Sequence, residues 1–281
     1  MATNFAKAFS QLIALFKQPP YPATHRPYPK LRHFILDVMA EGRRKNTINL
    51  LFEADLALIR THLAEHNAQQ NVRISMTTYI AKTLACAIDE DKSIQAYRHG
   101  KSRLVIFDEV DLAIMVEREV DGHTMPITQL VRNANQKPIS TIAQEIHAAK
   151  TAPVGDTGPM TALEKLFFSL PTWLRKIIWI EIRRDPHSFK QVAGTVGITS
   201  MGMNAAGPAV IIPITPMTLT LSIGASYSKV VLDNGVAVER DFIQMNLGAD
   251  HDIIDGAPLM RFTEQFKQKL HSGHALLNEP V

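Results

Sequence analysis

The residues that could do chemistry gather in one stretch, Leu247–Gly256, which reads LGADHDIIDG. An apolar, strand-like run (Phe242, Ile243, Met245, Leu247) leads into His251, and Asp255-Gly256 follows four residues later. A histidine at a strand end, followed by a turn into a helix, is where a fold can present an imidazole to a cleft. Imidazole is matched to taking a proton from a thiol, whose ordinary pKa near ~8.5 leaves it mostly protonated at neutral pH. On this stretch alone a turn-adjacent structural histidine is the simpler reading, because Asp-Gly is a common turn. Two further stretches shift the balance.

One is Gly194–Met203, GTVGITSMGM, a strand ending in the hydroxyl residues Thr199 and Ser200 before a Gly-Met turn. The other is Val110–Ala134, with a strand, the turn Asp121-Gly122, the run Met125-Pro126-Ile127 and then Arg132-Asn133-Ala134. In this order the three stretches resemble the catalytic core of the dihydrolipoyl acyltransferases of 2-oxo acid dehydrogenase complexes, within the chloramphenicol acetyltransferase-like superfamily. The resemblance covers roughly residues 30–270, and its implications are specific. The enzyme would be a coenzyme-A-dependent acyltransferase with His251 as general base. Thr199 stands where the family usually has the serine that holds the oxyanion, and Ser200 where it usually has asparagine. Thr199 keeps the hydroxyl but adds a methyl that restricts its rotamers. Asp255 would hold the histidine loop through an arginine near the start of the domain, for which Arg32 is the candidate; a plain turn residue is the alternative for Asp255. Gly256 completes the motif. The resemblance also implies a homotrimer or a multiple of trimers, with His251 from one subunit and Thr199 from its neighbour. The competing reading is a non-catalytic trimeric scaffold or assembly subunit built on the same core. A third is an antibiotic-modifying acetyltransferase.

The elements that must position these residues can be read from periodicity. Phe5, Phe9, Leu12, Ile13 and Phe16 predict a short amphipathic helix, and Pro19, Pro20, Pro22, Pro27 and Pro29 an extended linker after it, so residues 1–30 read as an appendage. The body, 31–274, alternates strands (Thr47–Ala54, Arg103–Phe107, Val110–Glu117, Ala193–Ser200, and a meander over 219–247 turned at Asp233-Asn234-Gly235) with helices. Those helices are Asp55–Asn67 with Asp55 as cap, Ser75–Asp89, Ser140–Lys150 with Ser140 as cap, and Ala257–Leu270. Several strand pairs are joined by hairpins, which predicts an α/β (α+β two-layer) fold: a mixed sheet with packed helices, not a doubly wound parallel one.

Composition narrows the partners. A net charge of +3 gives no argument for nucleic acid. The single cysteine, Cys86, excludes an internal disulfide, reads as buried and inert, and points to a reducing, cytoplasmic compartment. No run reaches the ~20 apolar residues of a membrane span, and no signal-peptide pattern opens the chain. No His-Glu-x-x-His or Cys-x-x-Cys spacing occurs, so no metal is expected, and no phosphate-binding glycine loop is present.

Two departures from the family stand out. The chain shows no lipoyl-bearing or subunit-binding segment, so it reads as a stand-alone core whose acyl partner is open. That partner would be acyl-CoA with a lipoyl or carrier domain supplied by another chain, or a small thiol. Second, Thr161–Arg184 (TALEKLFFSLPTWLRKIIWIEIRR) reads as a helical insertion. It is expected to lay Leu174, Ile177 and Ile178 on protein, within or between subunits, and to leave Arg175 and Lys176 largely outside, with Trp173 and Trp179 at the rim or in the subunit contact. A membrane-surface role is the disfavoured alternative.

Overall fold

The computed structural model describes Lys7 and residues 9–14, 22–25, 28, 31–120, 123–151, 167, 170–200 and 207–277. Most of the appendage, the Asp121-Gly122 turn, most of residues 161–169 and the Gly-Met turn at 201–203 lie outside these residues. Of the N-terminal helix, residues 9–14 are helical, with Phe9, Leu12 and Ile13 exposed.

The body opens with α1 (Leu31–Gly42), β1 (Thr47–Asp55), α2 (Leu56–Gln69) and α3 (Met76–Glu90). Asp55 and Ser75 cap α2 and α3 by accepting from Ala57 and Thr78 amides, as their residue types predict. A short hairpin, β2 (Tyr97–His99) and β3 (Arg103–Val105), stands apart from the main sheet. Then come β4 (Leu112–Val120), β5 (His123–Val131), α4 (Ile139–Thr151), α5 (Thr172–Arg184), α6 (Pro186–Ala193) and β6 (Val196–Ser200). The chain closes with β7 (Leu219–Asp233), β8 (Val236–Asp250), α7 (Gly256–His271) and the short α8 (His274–Leu277). The six-stranded sheet runs β1-β8-β7-β6-β4-β5, parallel at β4–β6 and β6–β7 and antiparallel elsewhere, so the expected mixed sheet with packed helices is what forms.

Several elements differ from expectation. The meander is a single long hairpin: β7 is continuous through a bulge between Ile223 and Ser226, and Asn234 (φ 50°) and Gly235 (φ 82°) make its tight turn. Gly224 sits in that bulge because a side chain there would collide with the Ala209 carbonyl 2.1 Å away. The strand expected from Ala193 begins at Val196, because Asp185 caps a helix that starts at Pro186. Ser140 lies inside α4 rather than capping it. Cys86 is half-buried on α3, where burial pushes its thiol up.

The sheet has two characters. Ile198, Leu221, Ile223, Met245 and Leu247 point to one face, into the main core with Leu84 and Ile88 of α3 and Phe262 and Phe266 of α7. Their alternates, Thr199, Thr220, Ser222 and Asn246, share the other face. Residues 207–217 run back over that polar face, tied there by the Ala225 amide donating to the Ala209 carbonyl (2.8 Å).

α5 packs on α1 in an unexpected orientation. Its buried residues are Arg175 and Trp179; Leu174, Ile178 and Ile182 are half-buried, while Trp173 and Ile177 are exposed. Arg175 turns inward because Asp37 of α1 receives its Nε at 2.7 Å and the Leu170 carbonyl takes Nη1 at 2.8 Å, so the guanidinium is paired where it is buried. Arg183 adds a bidentate pair to Glu41.

These arrangements predict two stability effects. Asp37→Ala strands the buried Arg175 charge and is expected to lower unfolding free energy by about 3–5 kcal/mol in urea titrations. Asp111 is the second. Burial would raise its carboxyl, but donors from the Asn133 amide, Arg132 and Lys190 outweigh that and hold it below the ordinary carboxylate range. A depressed folded value means stability present at neutral pH and lost as pH falls through it. Asp111→Asn should therefore cost most at neutral pH, and its deficit relative to wild type should shrink as unfolding is measured progressively below pH ~4.

Candidate active site

His251 follows directly on the end of β8. Its amide donates to the Asn46 carbonyl (2.8 Å), just before β1, so edge strand and loop are locked together. Asp250, 3 % exposed, is the anchor. Its carboxylate receives Lys45 Nζ at 2.6 Å and the Asp252 amide at 3.2 Å, its own amide donates to the Thr218 carbonyl, and its carbonyl takes the Ile253 and Ile254 amides. A buried carboxylate needs such partners, because an unpaired one would be costly. Ile254 then plugs into the core. Asp252, to which the sequence assigned no role, accepts from Asn46 Nδ2 at 2.9 Å and lies 3.9 Å from Arg98.

Asp255 occupies the cap position of α7 but makes no capping bond with its side chain. Its carboxylate lies 3.5 Å from His251 Nδ1, at the outer limit of a hydrogen bond, and both side chains are well exposed. Nε2 has no partner among the described residues, which leaves that nitrogen open to an incoming group. Gly256 opens α7, and a side chain there would meet nothing within 4 Å in this chain.

Arg32 does not join this group within one chain. It is exposed near the start of α1, and Asp255 has His251 as its ion partner. The physical reason is distance along the helix: the end of α1 that feeds the histidine loop is Gly42, ten residues and roughly 15 Å further on. Lys45 and Asn46, beyond that end, do the holding instead. No local pattern marks them, since Lys45 and Asp250 are 205 positions apart in sequence.

Thr199 and Ser200 end β6, both half-buried. Thr199 is in register with Ser222 of β7, and Ser222 with Asn246 of β8. His251 is therefore five residues past Thr199's level and two strands across. At ~3.3 Å per residue and ~4.8 Å per strand, the two lie roughly 20 Å apart in one chain. They cannot serve one reacting atom unless two chains meet.

Beside the histidine loop is a cleft of about 380 Å³. Arg44, Lys45, Arg98, Arg183 and Arg184 line it with Tyr97 and Trp179, and Asp250 and Asp252, the neighbours of His251, form one wall. Among the described residues no three His, Cys, Asp or Glu side chains are grouped to hold a metal ion, and no helix is long and apolar enough to cross a membrane.

Comparison with known proteins gives the family and the fold. Residues 22–154 and 183–277 match the model of the 2-oxoacid dehydrogenases acyltransferase (catalytic domain) family. The dihydrolipoyllysine-residue acetyltransferase component of the pyruvate dehydrogenase complex of Rickettsia conorii is 24 % identical over 203 residues, 72 % of this chain and 41 % of that protein. The chain spans about two fifths of the length of the curated relatives it matches. Among solved structures, the cubic core of the pyruvate dehydrogenase multienzyme complex superposes with a TM-score of 0.64 at 16 % identity, covering 93 % of this chain and all (100 %) of that one. The dihydrolipoamide acetyltransferase of Azotobacter vinelandii, studied for the catalytic roles of a serine, a histidine and an asparagine, gives 0.65 at 15 % identity, with coverages of 93 % and 100 %. These likenesses show the fold. With the family model matched over most of its length, the chain belongs to the 2-oxoacid dehydrogenase acyltransferase catalytic-domain family.

Proposed function

We propose that this protein moves an acyl group between coenzyme A and a second thiol, a dihydrolipoyl or carrier-domain thiol supplied by another chain. The observation that carries the reading is the anchored His251 loop, in a chain of this family, with Nε2 unengaged. His251 takes the proton from the attacking thiol, and the sulfur forms a bond to the thioester carbonyl carbon. The carbonyl electrons move onto oxygen, where Thr199 of a neighbouring subunit donates its hydroxyl. Collapse of this tetrahedral species breaks the original carbon–sulfur bond, and the leaving thiolate recovers the proton from the imidazolium. Asp255, on the Nδ1 side, orients the ring.

The subunit arrangement follows from the same register. A homotrimer, or a multiple of trimers, brings one chain's His251 to the next chain's Thr199. The arm of β7 and β8 beyond β1 supports such a contact, since it carries Val230 and Leu232 exposed. The cleft beside the histidine loop sets Arg44, Lys45, Arg98, Arg183 and Arg184 against Glu41, Asp250 and Asp252, a basic excess that suits the phosphates of coenzyme A. We assign residues 31–274 to the catalytic domain, 161–184 to an insertion within it, and 1–30 to a tether.

The test is transfer from acetyl-coenzyme A to dihydrolipoamide. His251→Ala is expected to abolish turnover while oligomer size is kept. Thr199→Ala should lower kcat by about 100- to 1000-fold with little change in KM, and Thr199→Ser should be tolerated. Near-wild-type turnover in His251→Ala would remove the base assignment, and no turnover in the wild-type protein would favour a scaffold. A further expectation is specific to the shared site: subunits carrying His251→Ala and subunits carrying Thr199→Ala, inactive separately, should regain activity when co-assembled. No recovery in verified mixed oligomers would mean that the two residues do not meet across an interface.

A further inference from the structure

α5 is fixed to the domain by one side and bare on the other. Arg175 and Trp179 are buried, yet Trp173 is 64 % and Ile177 49 % exposed. At about 100° per residue, Trp173, Ile177 and Arg184 fall in one narrow strip along the helix, opposite Arg175 and beside the half-buried Ile180. Lys176 is exposed on the flank of this strip and has no ion-pair partner among the described residues. The single acid of α5, Glu181, is taken up by Arg184 at 2.7 Å. The helix thus shows an aromatic and aliphatic strip with a basic flank, and the chain's own described body does not cover it.

The arm that leads into α1 has the same two characters. The first 36 residues carry five Lys and Arg and no Asp or Glu, whereas the rest of the chain holds 25 Lys and Arg against 27 Asp and Glu. In the helical part of the arm Phe9, Leu12 and Ile13 are exposed, and so is Lys7. Residues 1–21 and 155–182 both lie outside the parts of the chain that match the family model. They converge on one end of the domain. Arg175 pairs with Asp37 and Arg183 with Glu41, so α1 and α5 run in the same sense, and Thr172 lies at the end where the arm enters α1. Leu36, next in sequence to Asp37, is exposed as well.

Apolar strips flanked by cations suit a partner that is anionic at its surface and apolar just beneath. A bilayer with anionic headgroups has both layers in that order. Nucleic acid would use the cations and leave Trp173, Ile177, Leu12 and Ile13 in water. A second copy of the chain would cover the apolar strip but bring an equally basic arm up to it. We propose that this end of the domain, the first helix together with the outer face of α5, lies on an anionic membrane surface. Trp173 and Ile177 enter the boundary between headgroups and acyl chains, and Lys7 and Lys176 meet lipid phosphates. The association is peripheral, since no helix among the described residues is long and apolar enough to cross a membrane. None of these four residues lines the cleft beside the histidine loop, so the proposal stands apart from the acyl-transfer reading.

The experiment uses the full chain in its own oligomeric state, with vesicles of phosphatidylcholine alone or with about a third phosphatidylglycerol. Co-sedimentation is one readout. The other is Trp173 fluorescence, taken as the difference between wild type and Trp173→Phe, because Trp179 is the only other tryptophan. The protein should sediment with the anionic vesicles alone and come off as salt is raised. Trp173 emission should move to shorter wavelength on those vesicles and become shielded from acrylamide. Trp173→Ser with Ile177→Ser should lower vesicle partitioning by roughly 10-fold or more. Lys7→Gln with Lys176→Gln should lower it by roughly 5-fold per charge. Both variants should keep wild-type turnover in vesicle-free solution, which also shows that they fold. Trp173 already shielded from acrylamide without vesicles would overturn the proposal in favour of a subunit contact. An accessible Trp173 in a protein that sediments with neither vesicle would overturn it too. Binding to duplex DNA but not to vesicles would replace lipid by nucleic acid. Equal sedimentation with both vesicles, unchanged by the two lysine substitutions, would remove the anionic surface.

Discussion

The register of β8 is the constraint on which the rest depends. Because side chains alternate across a strand, pairing Leu221 with Leu247 and Ser222 with Asn246 sends the apolar set to the helices and the polar set to the opposite face in one step. A slip of β8 by one residue would turn Asn246 toward α3 and α7 and send Met245 and Leu247 to the polar face. The same register sets where β8 ends, and so places His251. Core, polar row and histidine loop are thus one decision made by one hairpin, enforced by the Asn234-Gly235 turn at its tip.

The histidine loop is then held by ties of a kind different from the core. Asp250 is buried beside Lys45, and Asn46 receives the His251 amide while its side chain reaches Asp252. Each tie is directional, so together they fix position and angle, which apolar packing alone does less sharply. Ile254 supplies the complementary term, an apolar plug that the directional bonds aim. The imidazole itself stays at the surface, on a base that cannot readily move.

What the sequence disclosed follows from range of interaction. The strand, His251, the Asp255-Gly256 turn and α7 are contiguous, and their local signals agreed with the structure. Asp55 announced its helix for the same reason. The Lys45–Asp250 tie was invisible because its partners are 205 positions apart, and a lysine after two arginines looks like solvated surface. Arg175 was misplaced by the rule that charged side chains face water; its exception is Asp37, 138 positions away. Arg32 was chosen for closeness to the start of the domain, whereas the fold brings the far end of α1 to the loop. α6 is a different failure: Asp185-Pro186 is a legible helix start, overlooked because the apolar run after it reads as strand.

The Arg175–Asp37 pair bears on how separable the inserted helix is. Asp37 lies in the part of the chain that matches the family model, and Arg175 lies in the stretch between the two matched parts. Each is the counter-ion that makes the other tolerable in the interior. The insertion is therefore not an ornament that could be trimmed by joining its ends. Cutting it out would leave an orphaned acid in the body of the domain, and grafting it onto a relative would bring an orphaned base. Removing the segment without also changing Asp37 therefore disturbs a helix more than a hundred residues upstream of it.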